Sequence, residues 1–141
     1  MQKGKIWKLV DLWLPPVFWA LVIFKFSSGS VPKASESFWI DFIIKKIGHI
    51  ILFATLAVLV YRGLTGSGIG RVKAAILALI FAAIYGISDE VHQIYTQGRE
   101  ARVRDVVIDI FGSGTVLFVI NKFISRFPKR MRDILLSIGI N

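Results

Sequence analysis

The hydrophobic positions of the chain fall into four long runs that polar segments separate. The runs extend over residues 9–26, 47–61, 74–87 and 106–120. A helix needs ~20 apolar residues to cross a bilayer, so each predicted helix must continue into its polar flanks. We therefore expect transmembrane helices over about 9–26, 42–62, 73–95 and 104–123.

Short segments connect these runs. The connection over residues 63–70 carries four glycines, which is typical of a turn. Connections this short favour helices that run antiparallel to their neighbours. The pattern predicts an all-α membrane protein, an antiparallel bundle of four transmembrane helices, folded as a single domain over residues 1–141. Pro15 and Pro16 interrupt the first run, where they predict a kink or a helix start.

The C-terminal segment 128–140 has an amphipathic pattern. Its apolar side chains share one face of a helix: Met131, Ile134, Leu135 and Ile138. Its basic side chains lie opposite or beside that face: Lys129, Arg130 and Arg132. This pattern predicts an interfacial amphipathic helix on an anionic membrane surface. A tail with solvated charges is the alternative.

Composition favours a membrane protein over the other classes that the charge allows. Hydrophobic residues make up 55% of the chain, mean hydropathy is +0.65, and the formal net charge is +9. A nucleic-acid-binding protein would gather its basic residues on a polar surface near stacking aromatics. Here they flank apolar runs, so we expect membrane lipids as partners and no nucleic acid. Cysteine is absent, which excludes disulfides and thiolate metal sites.

The basic residues are distributed unequally between the two sides that four crossings define. One side holds eleven of the 18 basic residues and two acids: Lys3, Lys5, Lys8, Arg62, Arg71, Lys73, Lys122, Arg126, Lys129, Arg130 and Arg132, with Asp11 and Asp133. The other side holds seven of each sign: Lys25, Lys33, Lys45, Lys46, Arg99, Arg102 and Arg104, with Glu36, Asp41, Asp89, Glu90, Glu100, Asp105 and Asp109. The positive-inside rule therefore predicts that the first side, with both termini, is cytoplasmic.

A polar stretch lies where the third run ends, over residues 88–99 (SDEVHQIYTQGR). Asp89, His92 and Gln93 are spaced i, i+3 and i+4, so they share a helix face. The next helix carries a second polar stripe with a spacing of four residues: Asp105, Asp109 and Ser113. Charge that faces lipid costs ~2.5 kcal/mol or more, so this second stripe should point into the bundle.

Further polar residues are expected at the same level of the bundle. Lys46 and His49 lie at the outer end of the second predicted helix, and Ser27 and Ser28 lie at the outer end of the first. Four helices would thus bring polar groups together at one outward-facing site.

Binding and catalysis would use different parts of this site. The candidate substrate-binding residues are Arg99, Gln93, Asp89, Asp105, Lys46 and Ser28. The candidate catalytic residues, a carboxylate acting with a histidine as general base and acid, are Glu90, Asp109, His92 and His49. A guanidinium at position 99 would hold phosphate or carboxylate, or stabilise a developing anion.

Three other interpretations remain open. The cluster could be a structural ion-pair cap in which three arginines neutralise three acids: Arg99, Arg102 and Arg104 with Asp89, Glu90 and Asp105. A transporter could relay protons or ions through Asp105, Asp109 and His92, but a one-sided polar mouth makes a poor path. Asp89, His92 and Asp109 could ligate a metal, but no paired-histidine spacing is present, so no metal site is predicted and the cofactor stays unassigned.

These residues also resemble a known family. The run over residues 88–114, SDEVHQIYTQGREARVRDVVIDIFGSG, resembles the signature of the VanZ-like family. KIGH at 46–49 and FSSGSVP at 26–32 resemble two shorter elements of that family, and the whole match covers about 90 residues in the expected order. Two positions depart from the pattern: Phe53 stands where the family often has tyrosine, and Gln97 where it often has proline.

The resemblance implies a multi-pass protein of the bacterial cytoplasmic membrane. The family is named for a protein that gives low-level resistance to the glycopeptide teicoplanin, and its biochemical activity is not settled. Carried over by position, its polar residues are Lys46, His49, Asp89, Glu90, His92, Gln93, Arg99, Asp105 and Asp109. The resulting hypothesis is a cell-envelope protein that binds or handles a lipid-linked, anionic cell-wall substrate. The alternative is a membrane-embedded hydrolase or transferase that acts on an envelope lipid.

Overall fold

The protein is all-helical over the residues that the computed structural model describes, which are 2–29, 35–97, 99 and 101–140. The helices are α1 (Gln2–Ser27), α2 (Phe38–Gly66), α3 (Arg71–Ile94), α4 (Val103–Phe123) and α5 (Lys129–Ser137), with a 3-10 turn over Ile124–Arg126. No strand occurs in these residues. The expectation of an all-α protein is therefore confirmed.

Among the described residues, three helices are long and apolar enough to cross a membrane: Ile6–Ser27 within α1, Phe38–Gly66 and Arg71–Ile94. Large apolar side chains also cover much of the outer surface, including Leu14, Phe18, Leu21, Ile84 and Phe111. An exposed apolar surface of this extent suits contact with lipid rather than water. These features are consistent with a multi-pass membrane protein.

α1 continues through its two prolines instead of beginning at them. The helix starts at Gln2, well before the expected start near residue 9, and contains both Pro15 and Pro16. Contacts on either side of the prolines hold it against α2. Leu12 packs beside the backbone of Gly63, and Trp19 Nε1 donates a hydrogen bond to the Leu52 carbonyl oxygen at 2.9 Å. Tertiary packing thus offsets the lost helical hydrogen bonds.

α2 lies at the centre of the fold, in contact with α1, α3 and α4. Its buried face meets a stripe of alanines on α3, formed by Ala74, Ala78 and Ala82. Small side chains let the helix backbones approach closely. α4 also comes close to α2, because a Cβ atom added to Gly112 would lie only 2.8 Å from Ile50 Cγ2.

The C-terminal segment docks on the bundle. α5 ends at Ser137, and the following Gly139 has a left-handed φ of +82° that turns the chain back. Ile140 is then buried in the core, and Arg62 Nε donates a hydrogen bond to the Ile138 carbonyl oxygen. The predicted apolar face is therefore divided, since Leu135 packs against the core while Met131, Ile134 and Ile138 remain exposed.

We expect Gly112→Ala to destabilise the protein. The added methyl group would collide with Ile50, whose branched side chain cannot swing away freely. Overpacking of this kind costs about 1–3 kcal/mol. Thermal unfolding of the purified protein in detergent would measure the loss.

Gly114→Ala is the matched control, two residues further along α4. Its Cβ atom would meet Leu79 Cδ1 at 3.8 Å, which is ordinary contact. Alanine should leave stability unchanged there, or raise it by up to about 1 kcal/mol, because it is the better helix former. Equal unfolding temperatures for the two variants would contradict the close approach of α2 to α4.

Candidate functional site

A cavity of about 670 Å³ lies among the four long helices, near the C-terminal end of α1 and the N-terminal part of α2. Six of the predicted site residues line it: Lys46, His49, Asp89, Gln93, Arg99 and Asp105. Apolar side chains form much of the remaining wall, among them Ile23, Phe26, Phe38, Phe42 and Leu52. Four other polar residues also line it: Ser27, Asp41, Lys45 and Arg102. Its volume is in the range of cavities that bind small ligands.

Two polar contacts join α2 to α4 beside this cavity. Lys46 Nζ forms an ion pair with Asp105 Oδ2, and His49 Nδ1 lies 3.4 Å from Asp109 Oδ2. The two α2 residues are spaced by three and the two α4 residues by four, so each pair shares a helix face. Ser113 continues the α4 stripe one turn deeper and is fully buried. The predicted stripe on α4 therefore faces the interior.

The acids of α3 bind neighbours other than a histidine. Gln93 Nε2 donates a hydrogen bond to Asp89 Oδ2 at 2.8 Å, one turn earlier on the same helix. The backbone N–H of Arg102 donates a hydrogen bond to Glu90 Oε2 at 2.6 Å, just before α4 begins. Glu90 thus fixes the start of α4, and it is not among the residues that line the cavity.

His92 faces α1 instead of the cavity. Its Nε2 lies 3.0 Å from Ser28 Oγ, and its ring packs on Phe24 with a centroid distance of 4.6 Å. Ser28 Oγ also donates a hydrogen bond to the Phe24 carbonyl oxygen at 2.7 Å. Of the carboxylate–histidine pairs considered from the sequence, the structure brings together His49 with Asp109.

Arg99 joins the segment before α4 to the end of α1. Its guanidinium donates hydrogen bonds to the carbonyl oxygens of Phe26 and Gly29, the latter at 3.0 Å. These carbonyls lie at a helix C-terminus, where the helix itself supplies no donors. Burial lowers the pKa of Arg99 below its ordinary value, while the nearby charges of Asp89 and Glu90 oppose that shift. Arg99, which was predicted to bind an anion, therefore also holds the segment before α4 against the end of α1.

The ion pairs differ from those of the predicted arginine cap. Asp105 takes its close partner from α2, and Arg104 Nε lies 3.8 Å from Asp105 Oδ1. The Arg104 guanidinium instead lies over the Phe42 ring, 4.8 Å from its centroid. Lys45 pairs with Asp41 at 2.7 Å within α2. The spacing of four residues reveals the Asp41–Lys45 pair from the sequence. It does not reveal the contact of Arg104 with the Phe42 ring.

Some buried polar atoms have no hydrogen-bond partner among the described residues. They are Ser27 Oγ, Glu90 Oε1, Asp105 Oδ1, Asp109 Oδ1 and Ser113 Oγ. Two of these residues, Ser27 and Asp105, line the cavity. Buried polar groups are usually paired, so these atoms have capacity to bind a ligand or water.

The three residues considered as metal ligands have separate neighbours. Asp89 binds Gln93, His92 contacts Ser28, and Asp109 contacts His49. Within the described part of the chain, no group of three histidine, aspartate or glutamate residues is placed to hold a metal ion.

Comparison with known proteins agrees with the signature that these helices carry. The model of the VanZ/LLP1 family matches residues 6–124, which includes α1 to α4. No curated protein and no solved structure gives a significant match. The family match covers most of the chain and contains every polar residue described above, from Ser27 to Ser113. This protein therefore belongs to the VanZ-like family.

Proposed function

We propose that this VanZ-like protein binds an anionic amphiphile of the cell envelope, such as a lipid-linked cell-wall precursor. The observation that carries the proposal is the cavity of about 670 Å³, which combines a charged floor with an aromatic wall. An amphiphile has the same two parts, since its headgroup is charged and its tail is apolar. Neither a purely apolar groove nor a closed ion-pair network would match both parts.

The headgroup would lie against the basic residues of the floor. Lys45, Lys46, Arg99 and Arg102 all line the cavity. Guanidinium and ammonium groups form the strongest hydrogen bonds with phosphate and carboxylate oxygens. Asp41, Asp89 and Asp105 line it too, so the floor carries both charges and selects a headgroup by its arrangement as well as its charge.

The tail would leave the cavity along its aromatic edge. Phe26 of α1 and Phe38 of α2 line the cavity while 66% and 70% of their surfaces are exposed. Side chains that touch both the cavity and the outer surface mark an opening between these helices. In a bilayer that opening would face lipid, so an amphiphile could enter sideways without leaving the membrane.

The proposed topology has four crossings in the bacterial cytoplasmic membrane, with both termini in the cytoplasm and the cavity near the outer surface. The charge distribution supports it, because eleven of the 18 basic residues fall on the side that holds both termini. At the far end of α2 from the cavity, Arg62 binds Asp11 at 2.6 Å. Family membership further suggests a link to teicoplanin resistance.

A membrane-embedded enzyme is the second candidate, and the contact between His49 and Asp109 favours it. His49 lines the cavity, and its Nδ1 lies 3.4 Å from Asp109 Oδ2. A carboxylate on one ring nitrogen can orient a histidine so that the other nitrogen acts as general base. A structural cap or a transporter has less support, because the cavity has unpartnered polar atoms and lies at one end of the bundle.

We expect cysteine labelling to find the cavity end outside the cell and both the α2–α3 turn and α5 inside. The chain has no cysteine, so single variants can be made directly: Gln97→Cys, Ser67→Cys and Ser137→Cys, all at exposed positions. A membrane-impermeant maleimide should label the first in intact cells. It should label the other two only after lysis. Labelling of Ser137→Cys in intact cells would contradict a cytoplasmic location of α5.

We expect Gly48→Leu to weaken binding of a fluorescent polyprenyl diphosphate by about tenfold, which corresponds to 1.4 kcal/mol. Gly48 lines the cavity, and a Cβ atom there would meet no heavy atom within 4 Å, so leucine can project into the open space. Titration of the purified protein in detergent would measure the affinity.

The control for this variant is Gly114→Leu. Gly114 lines a separate, shallow groove of about 360 Å³ between α3 and α4. The same glycine-to-leucine change there should leave binding intact.

Expression in a susceptible bacterium should likewise raise teicoplanin resistance for the wild type and the control, but less for Gly48→Leu. Unchanged lipid binding by Gly48→Leu would refute the proposed binding site.

If the protein is an enzyme, His49→Gln and Asp109→Asn should each slow turnover of an envelope lipid by about 100-fold or more, because they remove general acid–base catalysis. Phosphate release from a polyprenyl diphosphate by the purified protein would measure it. His92→Gln provides the comparison, since His92 contacts α1 and should affect turnover far less. No turnover by the wild type on this substrate would leave lipid binding as the better proposal.

A further inference from the structure

The basic residues of the cavity already have protein partners. Lys45 pairs with Asp41, Lys46 pairs with Asp105, and Arg99 donates to two backbone carbonyls. An incoming anion must therefore share these donors with the protein. Their charge favours a phosphate, but they provide little hydrogen-bonding capacity that is not already used.

The atoms of the cavity that still have unused hydrogen-bonding capacity are acceptors. Asp105 Oδ1 and Ser27 Oγ belong to cavity-lining residues that are 6% and 4% exposed, and neither atom has a hydrogen-bond partner among the described residues. Arg104 Nε lies 3.8 Å from Asp105 Oδ1, which is beyond hydrogen-bond distance. A carboxylate oxygen can only accept hydrogen bonds, and a hydroxyl oxygen can accept as well as donate. A buried acceptor without a donor is costly, so a ligand that brings a donor gains that energy on binding.

Unpartnered acceptor atoms also occur behind the residues that line the cavity. Asp109 reaches the cavity through His49, and its Oδ1 atom has no partner within the described chain. Glu90 Oε1 is also unpartnered there, although Oε2 of the same carboxylate accepts from the Arg102 backbone. Acceptors without donors therefore occur both at the lining and behind it, whereas Lys45, Lys46 and Arg99 of the floor are engaged.

We infer that the cavity selects amphiphiles whose headgroup carries hydrogen-bond donors, either hydroxyl or ammonium groups, beside its anionic group. This inference rests on the proposed amphiphile-binding function and adds the chemical class of the headgroup. The basic residues attract the phosphate, and the unpartnered oxygens of Asp105 and Ser27 accept from the neighbouring donors. A phosphate without such donors satisfies only the first half of the site.

Two pairs of short-chain lipids test the inference, because the members of each pair differ mainly in donors. Phosphatidylethanolamine and phosphatidylcholine share a phosphate and a cationic nitrogen, but only the first has N–H donors. Phosphatidylglycerol and its di-O-methyl ether differ in hydroxyl donors. Native mass spectrometry of the full chain in detergent would measure binding of each. We expect about tenfold tighter binding of the donor-bearing member in at least one pair.

The outcome distinguishes the inference from the function on which it rests. A preference in the first pair identifies ammonium as the source of the donors, and a preference in the second identifies hydroxyl groups. Equal binding within both pairs would overturn the inference while leaving amphiphile binding intact. If none of the four lipids binds, the inference fails, and the titration with polyprenyl diphosphate decides the proposed function separately.

Asp105→Asn should remove the preference. Its amide oxygen can keep the contact with Lys46, which leaves an NH₂ donor in the position of Oδ1. The affinity ratio within the preferred pair should then fall to about one. The matched control is Asp11→Asn, which also alters an aspartate paired with a basic residue, Arg62, but far from the cavity. It should keep the wild-type ratio.

Ser27→Ala provides a second variant in case Asp105→Asn does not fold. It removes an unpartnered hydroxyl without breaking any described hydrogen bond, so the fold should persist. The affinity ratio should fall part of the way towards one. A wild-type ratio in both Ser27→Ala and a folded Asp105→Asn would overturn the assignment of these two acceptors.

Discussion

The buried ion pair between Lys46 and Asp105 joins α2 to α4 beside the cavity and limits how these two helices can shift against each other. Both side chains lie largely within the bundle, and removing either partner would leave an uncompensated charge where water is scarce. The neighbouring contact of His49 with Asp109 repeats the constraint one turn away. Apolar side chains alone would tolerate sliding and rotation of these helices. Two polar contacts at fixed heights do not, so they set the register in which the rest of the core packs.

The cavity follows from this register, because α1 must then close the other side of the bundle. Hydrogen bonds to backbone carbonyls attach it near its middle and at its end. Trp19 donates to Leu52 of α2, the Tyr85 hydroxyl donates to the α1 carbonyl of Ala20, and Arg99 donates to the end of α1. Polar attachment at these points leaves space between the last turns of α1 and the first turns of α2. An apolar seam along the full length would have filled that space.

Periodicity predicted the faces of individual helices well, and their partners poorly. The stripe of Asp105, Asp109 and Ser113 is buried, as the cost of charge in lipid requires. However, spacing along one helix does not determine its rotation and height relative to the next. Spacing alone therefore places His92 on the same face as Gln93, whereas the structure turns His92 towards α1. The prolines do not begin the helix either, since tertiary contacts to α2 hold α1 together across them.

The residues of the family signature therefore have two roles: some attach helices to one another, and others line the cavity. Glu90 attaches α3 to the residue before α4, His92 attaches α3 to the end of α1, and Arg99 attaches the segment after α3 to the end of α1. Lys46 and Asp105 border the cavity itself. A loss of activity on substituting Arg99 would therefore have two explanations. The end of α1 would lose the hydrogen bonds that attach it, and the ligand would lose a positively charged partner. Filling the cavity from a glycine separates these explanations, since it alters the space for a ligand while leaving every polar contact in place.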